Sequence, residues 1–245
     1  MNENVEVIQL KVELINKEET KHFFKTWGEF SCTCYDTDKK YAERVGKSCL
    51  KSGHFSGSRA FSFIFEIKGI SRACSHQLVR HSVGITINQR SQRYCSEEGF
   101  KYVTPPSIEN NPNAKKYYDE CMREIAIMYE ILNNGLKKKL EGEDLYQDTR
   151  YILPNACETE LTIGFTLEAL IHFCEERLCT ASQWEIRELA NQIRVEVINV
   201  LPELKDYLNS KCVNLGYCPE APSRCCGRKP NKNNIKIIEK MEVKE

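Results

Sequence analysis

Between Gln77 and Tyr94 the chain sets Gln77, Arg80, His81, Asn88, Gln89, Arg90, Ser91, Gln92, Arg93 and Tyr94 in one short stretch. Guanidinium forks match phosphate oxygens, and a nearby serine hydroxyl and side-chain amides add further donors. That is the chemistry of anion binding. No Asp or Glu lies between Ser71 and Cys95, although acids make up 35 of the 245 residues. The stretch therefore reads as unbalanced positive charge that needs a partner from elsewhere, rather than as a solvated charged face.

The anion must be recognised locally. Lys and Arg together number 35, equal to Asp and Glu, for a formal net charge of +0. No global field would concentrate nucleic acid or draw the chain to an anionic membrane. No apolar run approaches the roughly 20 residues of a membrane span, and the first residues alternate polar with apolar instead of forming a signal-peptide core. The expectation is a soluble, cytoplasmic protein with a small-molecule substrate and no nucleic-acid or membrane partner. Thirteen cysteines in such a chain read as reduced thiols. Cys212, Cys218, Cys225 and Cys226 are close enough to suggest four thiolates on zinc, but they lack a C-x-x-C knuckle, and no metal site is expected.

The elements that must hold the cluster follow from period and punctuation. Residues 4–14 alternate with period two, as does Ala60–Ile67, and both predict strands. Asp36–Ser52 predicts a helix ending at Gly53. Ser71–Arg80 predicts a helix capped by Ser71, and Val83–Tyr94 a loop turning into a strand. After turn chemistry at Thr104-Pro105-Pro106 and Asn110-Asn111-Pro112, residues 113–141 predict a long amphipathic helix with Tyr117, Cys121, Ile125, Met128 and Leu132 on one face. Tyr146–Leu153 stops at Pro154, and 158–173 and 181–200 predict two more helices. The whole predicts an α+β fold: a single domain, with a small mixed or antiparallel sheet packed against several long helices. A catalytic domain over 1–210 and a Cys-rich, Lys-rich tail over 211–245 are expected.

The runs GISRACSHQLVRH and NQRSQRY resemble the diagnostic segment of flavin-dependent thymidylate synthases, which is Arg-His-Arg followed by seven or eight residues and a Ser. LKSGHFS with the F-S-F-I-F strand, TRYILP, HFCEERLCTASQWEIR and GYCPE are similar to further family segments in the same order, so the resemblance covers roughly residues 45–220. It implies dUMP contacts from Gln77, Arg80, Gln89, Arg90, Ser91, Gln92 and Arg93, with Arg150 reaching the nucleotide of a neighbouring subunit. It implies that Arg177 is the catalytic residue, polarising the pyrimidine and favouring loss of the N3 proton. FAD contacts are implied for Ser62, Arg80, His81, Ser82, Thr166, Glu168 and His172. It further implies methylenetetrahydrofolate as carbon donor, NADPH as reductant, no protein cysteine nucleophile and a homotetramer.

The sequence departs from that pattern chiefly on the flavin side. Ser82 stands in place of the third residue of the triplet, Arg59 and Ala60 replace a Glu-His pair, and Thr166-Leu167-Glu168 replaces Asn-x-Arg; Gln89 replaces an acid. Glu168 beside a flavin pyrophosphate would be repulsive by about 1 kcal/mol or more. A second reading is a pyrimidine-nucleotide-binding paralogue with altered base chemistry or lost FAD binding. His54 and His76 read as structural, Trp184 and the phenylalanines of the strand as core, and Cys179 as no nucleophile.

Overall fold

A computed structural model describes residues 8–233. Four strands form one antiparallel sheet in the order β1-β2-β4-β3, with β1 at Lys11–Leu14, β2 at Phe63–Ser71, β3 at Ile85–Gln89 and β4 at Glu158–Phe165. Around them lie α1 (Lys17–Lys21), α2 (Phe23–Cys34), α3 (Ala42–Lys51), α4 (Arg72–Leu78), α5 (Pro106–Glu109) and α6 (Pro112–Leu136). These are followed by α7 (Gly142–Thr149), α8 (Leu167–Arg177), α9 (Trp184–Val200) and α10 (Lys211–Leu215). This is the expected α+β class. No helix among the described residues is long and apolar enough to cross a membrane.

The chain groups into two compact units. The first takes in residues 8–11, 67–79 and 88–162, and the second takes in 12–66, 80–87 and 163–233. In the first, Ile67, Ile70, Cys74, Leu78, Tyr129, Cys157 and Leu161 are buried. The Ser71 hydroxyl caps α4 by accepting from the Cys74 amide, as the sequence predicts. In the second, Phe23, Trp27, Phe61 and Phe63 form an aromatic cluster with ring centroids 5.0–5.6 Å apart. α2 and α3 approach so closely there that only glycine fits: a Cβ on Gly28 would sit 1.7 Å from the Ala42 carbonyl oxygen, and one on Gly46 2.0 Å from that of Phe24.

Three expectations are corrected. Residues 158–165 are strand β4, not the start of a helix. Its burial alternates, with Thr159, Leu161, Ile163 and Phe165 inside, so period two and β-branching prevail over local helix propensity. On α6 the buried residues are Met122, Tyr129 and Asn133, while Tyr117, Cys121 and Met128 of the expected face are exposed. The helix is apolar on more than one side, and tertiary packing chose a face about one residue away in register. The aromatic helix α2 was not foreseen at all. The first strand is β1 at 11–14; residues 4–7 of its predicted span, like the apolar run 235–238, lie outside the described residues.

Candidate functional site

The residues singled out in the sequence fall into two groups, one in each unit. The first unit holds Gln77, Gln89, Arg90, Ser91, Gln92, Arg93 and Arg150; the second holds Ser62, Arg80, His81, Ser82, Thr166, Glu168, His172 and Arg177.

In the first unit the supposedly unbalanced charge is partly met by acids from outside the stretch. Arg93 pairs with Glu143. The Arg90 Nε lies 3.5 Å from the carboxylate of Glu97, which is buried. Burial pushes the Glu97 pKa up, against the lowering effect of Arg90 and Arg72. Gln89 turns its amide nitrogen to the hydroxyls of Ser75 at 2.9 Å and Thr159 at 3.1 Å. The Ser91 hydroxyl accepts from the Arg93 amide at 3.2 Å, which closes a turn and orients that hydroxyl.

What remains uncompensated lies around a cavity of about 300 Å³ lined by Arg72, His76, Gln92, Arg150, Tyr151 and Asn155. Arg72 donates from Nη2 to the Arg90 carbonyl at 3.1 Å, but its Nε is buried with no partner. Its pKa is lowered first by burial, with the Arg150 and Arg90 guanidiniums acting in the same direction against the raising effect of Cys157 and Glu97. Since arginine stays protonated regardless, such a site is stabilised by a bound anion. Sequence reasoning missed Arg72, although it sits in the quoted run GISRACSHQLVRH. Its signal was the same absence of acids, extended five residues upstream of Gln77. His76, expected to be structural, lines this cavity; His54 is structural as expected, its Nδ1 lying 2.8 Å from the Tyr35 hydroxyl.

Cys157 sits under this group and is held neutral. Gln92 donates to its sulfur at 3.5 Å, and burial pushes the thiol pKa up to about 12. Cys174 is likewise pushed up to about 12 by burial. Neither can act as a thiolate nucleophile near neutral pH.

In the second unit the Arg177 Nε donates to the His81 Nε2 at 2.8 Å. The His81 ring also stands edge-on to Phe173, at 5.2 Å, and to His172, at 6.0 Å. Burial, then the Arg177 charge, then His172 lower the His81 pKa to about 4. The imidazole is therefore neutral, with its proton on Nδ1 and its Nε2 lone pair fixing the guanidinium. Thr166 caps α8, accepting from the Ala169 amide at 3.4 Å. Ser62, Ser82 and His172 are exposed, and Arg80 is exposed at the end of the turn after α4.

The expected repulsion at Glu168 does not stand alone. Arg59 donates from Nε to Oε2 at 2.5 Å and from Nη2 to Oε1 at 3.1 Å, a fork against both oxygens. The Arg59 hydrogen bond lowers the Glu168 pKa, and the pair is neutral as a unit. Two of the sequence departures thus compensate each other across 109 residues. Among the described residues no group of three or more His, Cys, Asp or Glu side chains is placed to hold a metal ion.

Residues 14–203 match a family model described as "Thymidylate synthase complementing protein". The chain is 39% identical over 189 residues to a protein of Nitratidesulfovibrio vulgaris named "Flavin-dependent thymidylate synthase", covering 77% of each chain. It is 37% identical over 195 residues to a protein of that name from Clostridium tetani, covering 75% of this chain and 78% of the relative. For one from Pyrococcus furiosus the identity is 34% over 226 residues, covering 87% and 88%. The chain belongs to the thymidylate synthase complementing protein family.

Proposed function

We propose that this chain is a flavin-dependent thymidylate synthase that methylates dUMP to dTMP, taking its carbon from methylenetetrahydrofolate and its electrons from NADPH. The observation that carries the reading is the cationic cavity of the first unit, where Arg72 keeps a buried, unpartnered Nε beside Arg150 and Gln92. A nucleotide phosphate supplies the missing acceptors and the missing charge. Ser91, Arg90, Arg93, Gln89 and Gln77 complete the nucleotide contacts of that unit in this reading.

The residues of the second unit fit FAD. Glu168, whose charge would oppose a pyrophosphate, is neutralised by Arg59, and His81 is neutral. Ser62, Arg80, His81, Ser82, Thr166 and His172 would hold the cofactor, with Glu168 acting through Arg59. FAD supplies the hydride chemistry that no protein side chain can perform. Arg177, oriented through its Nε by His81, has the rest of its fork left to hold negative charge on the pyrimidine oxygens and N3, which raises electron density at C5. It acts as a charge stabiliser and not as a base.

A homotetramer in the cytoplasm is part of the proposal. The purified protein should carry flavin absorbance and form dTMP from dUMP, methylenetetrahydrofolate and NADPH. A colourless protein that binds dUMP and makes no dTMP on addition of FAD would overturn the synthase reading in favour of a nucleotide-binding paralogue.

A further inference from the structure

Outside both groups of residues, the second unit carries a cleft of about 330 Å³ whose lining includes Arg187, Glu188, Asn191, Arg194, Ser210 and Arg228. Arg187, Asn191 and Arg194 are spaced i, i+4, i+7 on α9, so they share one helix face. The turn before α10 brings Asn209 and Ser210, and the segment after residue 225 brings Arg228.

Two of the guanidiniums are held in place by backbone. Arg187 donates from Nη1 to the Thr180 carbonyl at 3.1 Å, and Arg194 from Nε to the Leu208 carbonyl at 2.6 Å. Each arginine has five donor hydrogens, so most of the fork remains. None of the three arginines has a carboxylate within ion-pair distance among the described residues. Glu188 is engaged elsewhere, accepting from Gln192 at 3.1 Å. Three arginines less one glutamate leave the lining with a formal charge of +2.

A cleft preset with two unneutralised positive charges and planar donor forks favours a dianion with several oxygens. A phosphomonoester carries about −1.5 to −2 near neutral pH and three strong acceptor oxygens. The volume lies at the lower end for small-molecule sites, enough for a phosphate with an attached sugar or base and too small for a whole dinucleotide. We propose that this cleft binds the phosphomonoester of a nucleotide-sized molecule. Two sources share that chemistry: the 2′-phosphate of the reductant, if the reaction proposed above is correct, and a free phosphorylated effector. Only the first depends on that reading.

The probe is 2′,5′-ADP, titrated calorimetrically into the holoenzyme with dUMP in excess so that the first unit's residues are not the ones titrated. Saturable binding is expected, competed by inorganic phosphate. Arg228→Gln and Asn191→Asp alter the cleft without touching the bonds to Thr180 or Leu208. Each should weaken 2′,5′-ADP by about tenfold or more, the scale of a charge-assisted hydrogen bond, with an unchanged melting temperature. No saturable binding to the wild type, or affinities unchanged in both variants, would overturn the site. If the variants raise the KM for NADPH and leave that for NADH alone, the phosphate is the reductant's. If both KM values stay put while 2′,5′-ADP affinity falls, the ligand is a separate effector. The calorimetric arm needs no turnover, so an inactive wild type that still binds 2′,5′-ADP would remove the proposed reaction and leave the cleft standing.

Discussion

At the scale of single residues, Arg72 and His81 illustrate opposite uses of burial. Arg72 is a cation half-removed from water with a donor left over. Replacing it with glutamine should weaken dUMP binding by about 1.5–3 kcal/mol, the worth of a hydrogen bond to a charged group, as read by calorimetric titration of the folded variant. Unchanged affinity would take Arg72 out of the nucleotide contacts. His81 is held neutral, with a folded pKa of about 4 against 6.5 for the free group. Between those values the unfolded chain takes up a proton that the folded chain does not, so stability rises with pH across the window and is lost as pH falls through it. His81→Gln keeps an acceptor for Arg177 and should flatten that slope in urea unfolding measured between pH 4 and 6.5. Arg177→Lys keeps the charge and loses the planar fork. We expect dUMP binding within roughly tenfold of wild type and turnover lower by about two to three orders of magnitude, in saturating-substrate assays of dTMP formation.

At the scale of elements, two tight junctions shape the second unit. α2 crosses α3 at Gly28 and Gly46, where the neighbouring atoms are backbone and cannot rotate away. Gly28→Ala should cost about 3 kcal/mol, the upper range for overpacking, measured by chemical denaturation. The other junction joins the turn before β2 to the start of α8 through Arg59 and Glu168. The side chains are 65% and 37% exposed, so the pair adds little to stability. Its consequence lies in charge: Arg59→Ala should release Glu168 and lower FAD affinity by about tenfold, the energy scale of one nearby like charge. Adding Glu168→Gln to that variant should recover the affinity in a flavin-fluorescence titration. A single Arg59→Ala variant that binds FAD as wild type does would show that the pair has no bearing on the cofactor.

For the whole molecule, the family resemblance implies a homotetramer in which Arg150 reaches a neighbour's nucleotide, whereas in this chain Arg150 lines the same cavity as Arg72 and Gln92; the tetramer itself is what we propose. α6 leaves Tyr117, Ile127, Met128 and Ile131 exposed at 55–69%, an apolar stripe on one helix of the kind that marks an interaction surface. Light scattering should give four times the chain mass, and Ile127→Glu with Ile131→Glu should yield smaller species that lose dTMP formation. A fully active monomer would defeat this.

What the sequence determined alone is local in origin. The Ser71 cap, the stop at Gly53, the breaks at paired prolines and the clustering of Arg, Gln and Ser between residues 77 and 93 each depend on neighbours a few positions away, and short-range sterics and hydrogen bonding decide them. The family segments were legible for the same reason, since each is a contiguous run. Tertiary structure decided what depends on distant partners. Residues 158–165 became a strand because β2 and β3 flank it in the sheet. α6 buried the Tyr129 side because that is where the rest of its unit lies. Arg93 found Glu143, and Arg59 found Glu168, across separations that no local pattern encodes. Whether a charge is compensated or left for a ligand is a property of three-dimensional neighbours. The sequence therefore shows that this chain gathers cations, and only the fold shows that Arg93 and Arg59 meet an acid while Arg72 and Arg150 form no ion pair among the described residues.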